Sequence, residues 1–338
     1  MPTIDEYPSV SLHNVSELVP ADWADGGDRL HRLPADVAAQ LNEMADGRVR
    51  EPSGSELRFV PETDDAEIEV TLSAEESARL RVFWGPFQPW KPTDIGPEPE
   101  TLTLSVPERV RTLDTEVDGR FDPRVCRVRF ERTPAVAVHD VSGDCRPPAD
   151  EELPDTRYLA YGTSITEGAA SSATHLNYVS WAARDLGWDP LNFGTSGSAY
   201  ADAPMAEYIA ERDDWDVATL ALSINMANQD FPVAEFEERA RAFVETIAAA
   251  HQDEPIACIT LFPYYPDVVA DGDAERAEAY RETLRGIVAD TDHPDIHVVE
   301  GRDLTDVSGY SADLLHPGDA GMAEIGRNLA DELDERFA

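Results

Sequence analysis

The chain has 338 residues, 42% of them hydrophobic, which is more than one apolar core usually organises, so two domains are the default. Against 27 basic residues stand 68 acidic ones, a formal net charge of −41, and Lys91 is the single lysine. Such a surface repels polyanions and anionic bilayers, which excludes nucleic acid and charged membrane surfaces as partners.

The N-terminus, Met1-Pro2-Thr3-Ile4-Asp5-Glu6, lacks a basic region followed by an apolar stretch. No run reaches membrane-spanning length, so a cytoplasmic location is expected. One early helix is predicted over 33–44. Short runs at 56–60, 66–72, 79–84, 101–106, 125–130 and 135–139 alternate apolar with polar residues between turn residues, the pattern of a β-sandwich. Within them Phe83 to Trp90 concentrates aromatic residues, which reads as core or domain contact before it reads as a stacking surface. A stretch rich in proline and acid at 142–155 then makes a natural linker. The expected division is a β-sandwich accessory domain over 1–150 and a catalytic domain over 151–338.

Beyond the linker the period changes. Apolar runs at 158–161, 191–193, 217–223, 256–262 and 296–299 alternate with helical segments at 177–186, 205–212, 236–250 and 274–289, and a last helix is predicted over 320–337. Strand–helix alternation of this kind predicts an α/β fold, a parallel sheet with helices on both faces. The carboxylates are dispersed among these periodic segments, as in Glu235-Phe236-Glu237-Glu238-Arg239, and read as solvated faces of folded elements. Cys126, Cys145 and Cys258 are an odd set without metal spacing, so no disulfide framework is expected. His293 and His297 flank Pro294 and the start of a strand, which suits a solvated connection better than a metal site.

Four segments carry chemistry. Tyr158-Leu159-Ala160-Tyr161-Gly162-Thr163-Ser164-Ile165-Thr166-Glu167-Gly168 runs a strand into a serine. An α/β-hydrolase elbow would need glycine at position 166, and the lysine of a phosphate-binding loop is missing. Asn192-Phe193-Gly194-Thr195-Ser196-Gly197-Ser198 offers glycines that let a backbone N–H approach a substrate oxygen. Leu220-Ala221-Leu222-Ser223-Ile224-Asn225-Met226 ends an apolar strand on an amide side chain. Asp313-Leu314-Leu315-His316 supplies a carboxylate and an imidazole three residues apart, the groups that activate a serine hydroxyl. Singly, each has a structural reading: Ser164 as a helix cap, Asp313 as a turn cap, Gly194 and Gly197 as turn glycines, Asn225 as an Asx-turn. Together, at the ends of successive strands, they read as catalytic, because catalytic groups of open α/β sheets gather at carboxyl strand ends.

In this order the four blocks resemble the SGNH branch of the GDSL esterase superfamily. The resemblance implies a flavodoxin-like doubly wound parallel sheet preceded by a jelly-roll-like all-β sandwich. It further implies Ser164 as nucleophile, His316 as general base, Asp313 as its orienting partner, and an oxyanion hole of Ser164 N–H, Gly197 N–H and the Asn225 side chain. Thr163 and Met226 stand where the family commonly has aspartate. Gly-x-Ser-Ile-Thr and Ile-Asn-Met resemble a subgroup in which a β-sandwich precedes the esterase domain, including polyketide-tailoring acyltransferases and carbohydrate esterases. The exchange of lysine for Asp, Glu and Arg resembles proteins of salt-accumulating halophiles and points to a haloarchaeal source.

The expected function is a serine esterase acting on a small-molecule ester or an acylated carbohydrate, with no cofactor and no metal. An acyltransferase using the same triad and a non-catalytic glycan-binding protein stay open. Phe262-Pro263-Tyr264-Tyr265-Pro266 leaves a strand at its carboxyl end, which makes Tyr264 and Tyr265 candidate substrate contacts. The acyl group, the alcohol and the oligomeric state are not legible.

Overall fold

The computed structural model describes residues 6–114 and 120–337. The chain divides into two compact units, one formed by the residues up to Ala35 with Val49–Asp155 and Gly187–Asp189, the other by Asp36–Arg48, Thr156–Leu186 and Pro190 onward.

The first unit is antiparallel β. Its strands are β1 (Ser11–His13), β2 (Glu17–Pro20), β3 (Asp28–His31), β4 (Glu56–Pro61), β5 (Ile68–Ala74), β6 (Ala78–Trp84), β7 (Thr93–Ile95), β8 (Glu100–Leu104), β9 (Cys126–Phe130), β10 (Val136–Ser142) and β11 (Cys145–Arg146). One sheet runs β1-β4-β9-β6-β7 with β11 also on β4, and the other runs β2-β3-β10-β5-β8. Alternation dictates the core: Leu57, Phe59, Leu80, Val128 and Phe130 from one sheet join Val70, Leu72, Val136 and Val138 from the other in one apolar cluster. The expected linker differs in part, since β11 pairs with Val60 and Pro61 and so extends the first sheet.

The polar face of β4 and β9 is buried rather than solvated. Glu56 lies between Arg58, Arg127 and Arg129 at 2.8, 2.6 and 3.0 Å. Asp189 takes a two-point contact from Arg58, 2.7 Å at each oxygen. Phe121 lies under the Arg127 guanidinium at 3.6 Å. Charges this deeply buried persist only when paired, and each here has a partner of opposite sign.

The second unit is built on five parallel strands, β12 (Arg157–Gly162), β13 (Asp189–Gly194), β14 (Val217–Leu220), β15 (Ile256–Ile259) and β16 (Ile296–Val299), in the order β13-β12-β14-β15-β16. Numbered within the unit this is 2-1-3-4-5, the flavodoxin-like order. Both faces are covered. Tyr161 stacks on Phe243 of the helix Val233–Ala250 at 4.6 Å. Tyr158, three residues back and so on the opposite face, gives its hydroxyl a partner in Thr219 at 2.7 Å. Strands buried on both sides read as continuous apolar runs, which is why the sequence reveals them. The helix expected over 33–44 is instead two, Ala35–Ala38 and Glu43–Val49.

Candidate active site

Strand β12, between β13 and β14, ends at Gly162, and Thr163 caps the short helix Ser164–Glu167, its hydroxyl oxygen accepting Ile165 N–H at 3.4 Å. Ser164 is therefore the first residue of a helix, at the carboxyl end of β12, where backbone N–H groups have no partner within the helix. Its Oγ lies 2.8 Å from His316 Nε2. His316 Nδ1 lies 2.7 Å from Asp313 Oδ2. The two residues are 152 positions apart in sequence and one hydrogen bond apart in space.

A tight turn makes the second of these contacts. Asp313 Oδ1 accepts the Ser311 hydroxyl (2.7 Å), Leu315 N–H (2.9 Å) and His316 N–H (3.0 Å), while Ser311 N–H donates to the His316 carbonyl (2.8 Å). Leu314 sits at φ +52°, a left-handed conformation that a leucine adopts only when its surroundings impose it. Partial burial pushes the Asp313 carboxyl up, but the donors from His316, Ser311 and Leu315 outweigh it and hold the group well below the usual carboxylate range. An ionised Asp313 can only accept, so Nδ1 carries the imidazole proton and Nε2 is free to accept from the Ser164 hydroxyl.

The loop after β13 supplies the next element. Gly194 passes so close to the nucleophile helix that a Cβ there would stand 2.4 Å from Glu167 N. Glu167, fully buried, accepts both the N–H (3.0 Å) and the hydroxyl of Ser196, which ties the loop to the helix of Ser164. Gly197 follows at φ +75°, a backbone region that favours glycine. Its carbonyl accepts from Gln229 Nε2 (2.7 Å), and the Tyr200 hydroxyl, with one proton to give, lies 2.9 Å from that carbonyl and 2.6 Å from Gln229 Oε1.

Asn225 lies on the helix Ile224–Asn228, not at the end of a strand, because β14 stops at Leu220. An apolar run such as Leu220 to Ile224 does not by itself separate strand from buried helix. Its Oδ1 accepts Ala199 N–H at 3.0 Å. Since an N–H must meet an acceptor, this bond fixes the amide's orientation and leaves Nδ2 as the end that can serve a substrate oxygen.

Tyr264 is buried, its N–H donated to Asp267 Oδ2 at 3.1 Å. Tyr265 is at the surface, with its hydroxyl on Asn228 Oδ1 (3.0 Å), three residues beyond Asn225 on the same helix. His293 is held on the His251 carbonyl and His297 on Asp295. Sequence reasoning passed over Glu167, Ser196, Tyr200 and Gln229. The first belongs to the Ser164 block and carries a readable signal, an acid inside an apolar context, whereas the others depend on contacts made only in the fold.

The whole chain resembles several solved structures. A salicylyl-acyltransferase, SsfX3, from a tetracycline biosynthetic pathway superposes with a TM-score of 0.78 at 16% identity, over 99% of this chain and 96% of that one. A family two carbohydrate esterase from Clostridium thermocellum, in complex with cellohexaose, gives 0.63 at 16% identity over 97% and 99%. A family two carbohydrate esterase from Cellvibrio japonicus gives 0.65 at 14% identity over 97% and 95%. At such identities the likeness is one of fold. No curated protein matches the sequence significantly. The model of the GDSL-like lipase/acylhydrolase family matches residues 160–324, the stretch that carries Ser164, Gly197, Asn225, Asp313 and His316.

Proposed function

We propose that the protein is a serine-dependent ester hydrolase with Ser164 as nucleophile, His316 as general acid–base and Asp313 as the residue that orients it. The observation that carries this reading is the line of hydrogen bonds Ser164 Oγ to His316 Nε2 (2.8 Å) and His316 Nδ1 to Asp313 Oδ2 (2.7 Å). In the first half-reaction Ser164 Oγ adds to the ester carbonyl carbon as its proton moves to Nε2. Collapse then breaks the bond to the alcohol oxygen, which takes that proton and leaves an acyl-enzyme. In the second half-reaction His316 takes a proton from water, hydroxide equivalent adds to the acyl carbon, and the carboxylic acid departs as the proton returns to Ser164. The negative oxygen of each tetrahedral intermediate would be met by Ser164 N–H, Gly197 N–H and Asn225 Nδ2.

For the substrate, an uncharged ester suits a chain of net charge −41, which repels anions. The carbohydrate esterases that share the fold support an O-acyl group on a sugar or a small metabolite. A second reading, transfer of the acyl group to an alcohol in place of water, draws support from the likeness to the salicylyl-acyltransferase over nearly the full length of both chains.

A fluorophosphonate probe is expected to label the wild type and not Ser164→Ala, and Ser164→Ala and His316→Ala should each lose ester turnover by several orders of magnitude while keeping the wild-type melting profile. Full turnover by Ser164→Ala would end the hydrolase reading. An unlabelled wild type that still binds glycans would favour a binding protein on an esterase fold.

A further inference from the structure

Residues Asp36–Arg48 precede the nucleophile by more than a hundred positions, yet they pack in its unit. The anchor is Asn42. Its Oδ1 accepts Ala45 N–H at 3.1 Å and so caps the helix Glu43–Val49, while its Nδ2 donates to the Ser198 carbonyl (2.9 Å) and to Asp202 Oδ2 (2.6 Å). With both ends of one amide engaged, the side chain has a single orientation, and the start of the helix is pinned to the residue that follows Gly197.

Two residues beyond this anchor stands Met44. Its Sδ would lie 3.0 Å from a Cβ built on Gly197, so the thioether rests against the glycine whose N–H is assigned to the oxyanion. Half of Met44 is exposed, on a chain whose surface is overwhelmingly acidic. The segment thus holds one flexible, uncharged side chain at the edge of the reacting centre.

The chemistry assigns a direction to that edge. The leaving oxygen must face His316 Nε2 to receive its proton, and the carbonyl oxygen must face Gly197 N–H. The remaining substituent on the reacting carbon, the acyl chain, is then directed away from His316, which leaves the rim of the Gly197 loop as a path for it. We propose that Met44 is a specificity-determining residue, the wall of the acyl subsite, and that the acyl group it receives is uncharged, apolar and longer than acetyl. A thioether with three rotatable bonds moulds to such a chain, whereas it gives little to a two-carbon group. The inference rests on the esterase reading above and deepens it by naming the acyl class.

The test uses the full chain in molar KCl, with two ester series: p-nitrophenyl acetate, butyrate and octanoate, which vary the acyl chain, and acetates of alcohols of different size, which vary the leaving group. Met44→Ala should lower the octanoate-to-acetate ratio of kcat/KM by about tenfold or more, the order of discrimination that a methylene or two of apolar contact provides. The alcohol series should be displaced by one common factor. Met44→Leu, which restores an apolar side chain of similar volume, should recover the octanoate ratio. Equal loss on all acyl lengths would overturn the proposal in favour of a structural role, and a change confined to the alcohol series would overturn it by placing Met44 on the leaving-group side. If the wild type neither labels with fluorophosphonate nor turns over any ester, the esterase reading itself has failed and the acyl subsite falls with it; a labelled, active wild type with an unmoved acyl profile refutes the Met44 assignment alone.

Discussion

Replacing Asn225 separates the two jobs assigned to its amide, one seen in the fold and one proposed for the reaction. Asn225→Ala removes the acceptor for Ala199 N–H, a 3.0 Å bond within a buried loop, and it removes Nδ2 as a donor to the oxyanion. The first loss leaves the buried Ala199 N–H without its acceptor and costs about 1–3 kcal/mol of folding stability. The second costs roughly 3 kcal/mol in the transition state, or on the order of 10²–10³ in kcat, with KM nearly unchanged, because the donor meets its charge only after Ser164 has attacked. Asn225→Asp divides these effects: Oδ1 can still receive Ala199 N–H, so stability is largely kept, but a carboxylate now faces the developing oxyanion and turnover should fall at least as far as in Asn225→Ala. Steady-state kinetics on a p-nitrophenyl ester, paired with thermal melts of all three proteins, measures both quantities. If kcat holds in Asn225→Ala and only KM rises, the amide binds the ground-state substrate and the oxyanion assignment is wrong. If Asn225→Asp stays active, no oxyanion develops beside this residue at all.

Two further outcomes follow from the charge pattern. Burial pushes the Asp189 carboxyl up, but Arg58 and His13 outweigh it and bring it down to about 2 from an ordinary 3.8, so the stability it contributes is fully present above pH 4 and is lost as pH falls towards 2. The gap corresponds to about 2 kcal/mol; acid melts should show the loss in the wild type and a shallower slope in Asp189→Asn, and parallel slopes would mean that Asp189 is not the group being titrated. A net charge of −41 should make folding salt-dependent, since the Debye length shrinks from about 30 Å at 0.01 M salt to about 3 Å at 1 M. The melting temperature should therefore rise into molar KCl, NaCl should serve nearly as well, and a flat response would refute adaptation to high salt.

The parts of the fold that were legible are those in which one physical demand dominates. Strands buried on both faces are largely apolar, so β12 and β15 stand out from their surroundings, and the helices between them carry a one-sided apolar stripe. The short strands β1, β2, β3, β7 and β11 span two to four residues, too few for an alternation to be counted, and they exist because neighbouring strands offer them hydrogen bonds. The helix expected over 33–44 is interrupted between Ala38 and Glu43, and Asn42 caps a new helix there instead of continuing the old one, since an asparagine side chain competes for backbone N–H groups. The polar alternation of β4 and β9 was legible, but its meaning was not: the period says which residues share a face, and only packing says whether Glu56, Arg58 and Arg127 meet water or each other.

The site divides along the same line. Ser164, Asp313 and His316 are legible because the proposed acyl transfer demands those residue types, whatever surrounds them. The groups that hold them are chosen only for reach: Ser311 for the distance to Asp313, Gln229 and Tyr200 for the distance to the Gly197 carbonyl, Asn42 for the distance to Ser198. Many side chains can supply a donor, so no residue type announces the role. Precision nevertheless depends on them, since a catalytic group acts at its full rate only when its own geometry is fixed by its neighbours. On the proposed reading the four blocks would specify bond making at the carbonyl, and a residue brought in from a distant segment, Met44, would specify what the carbonyl carries.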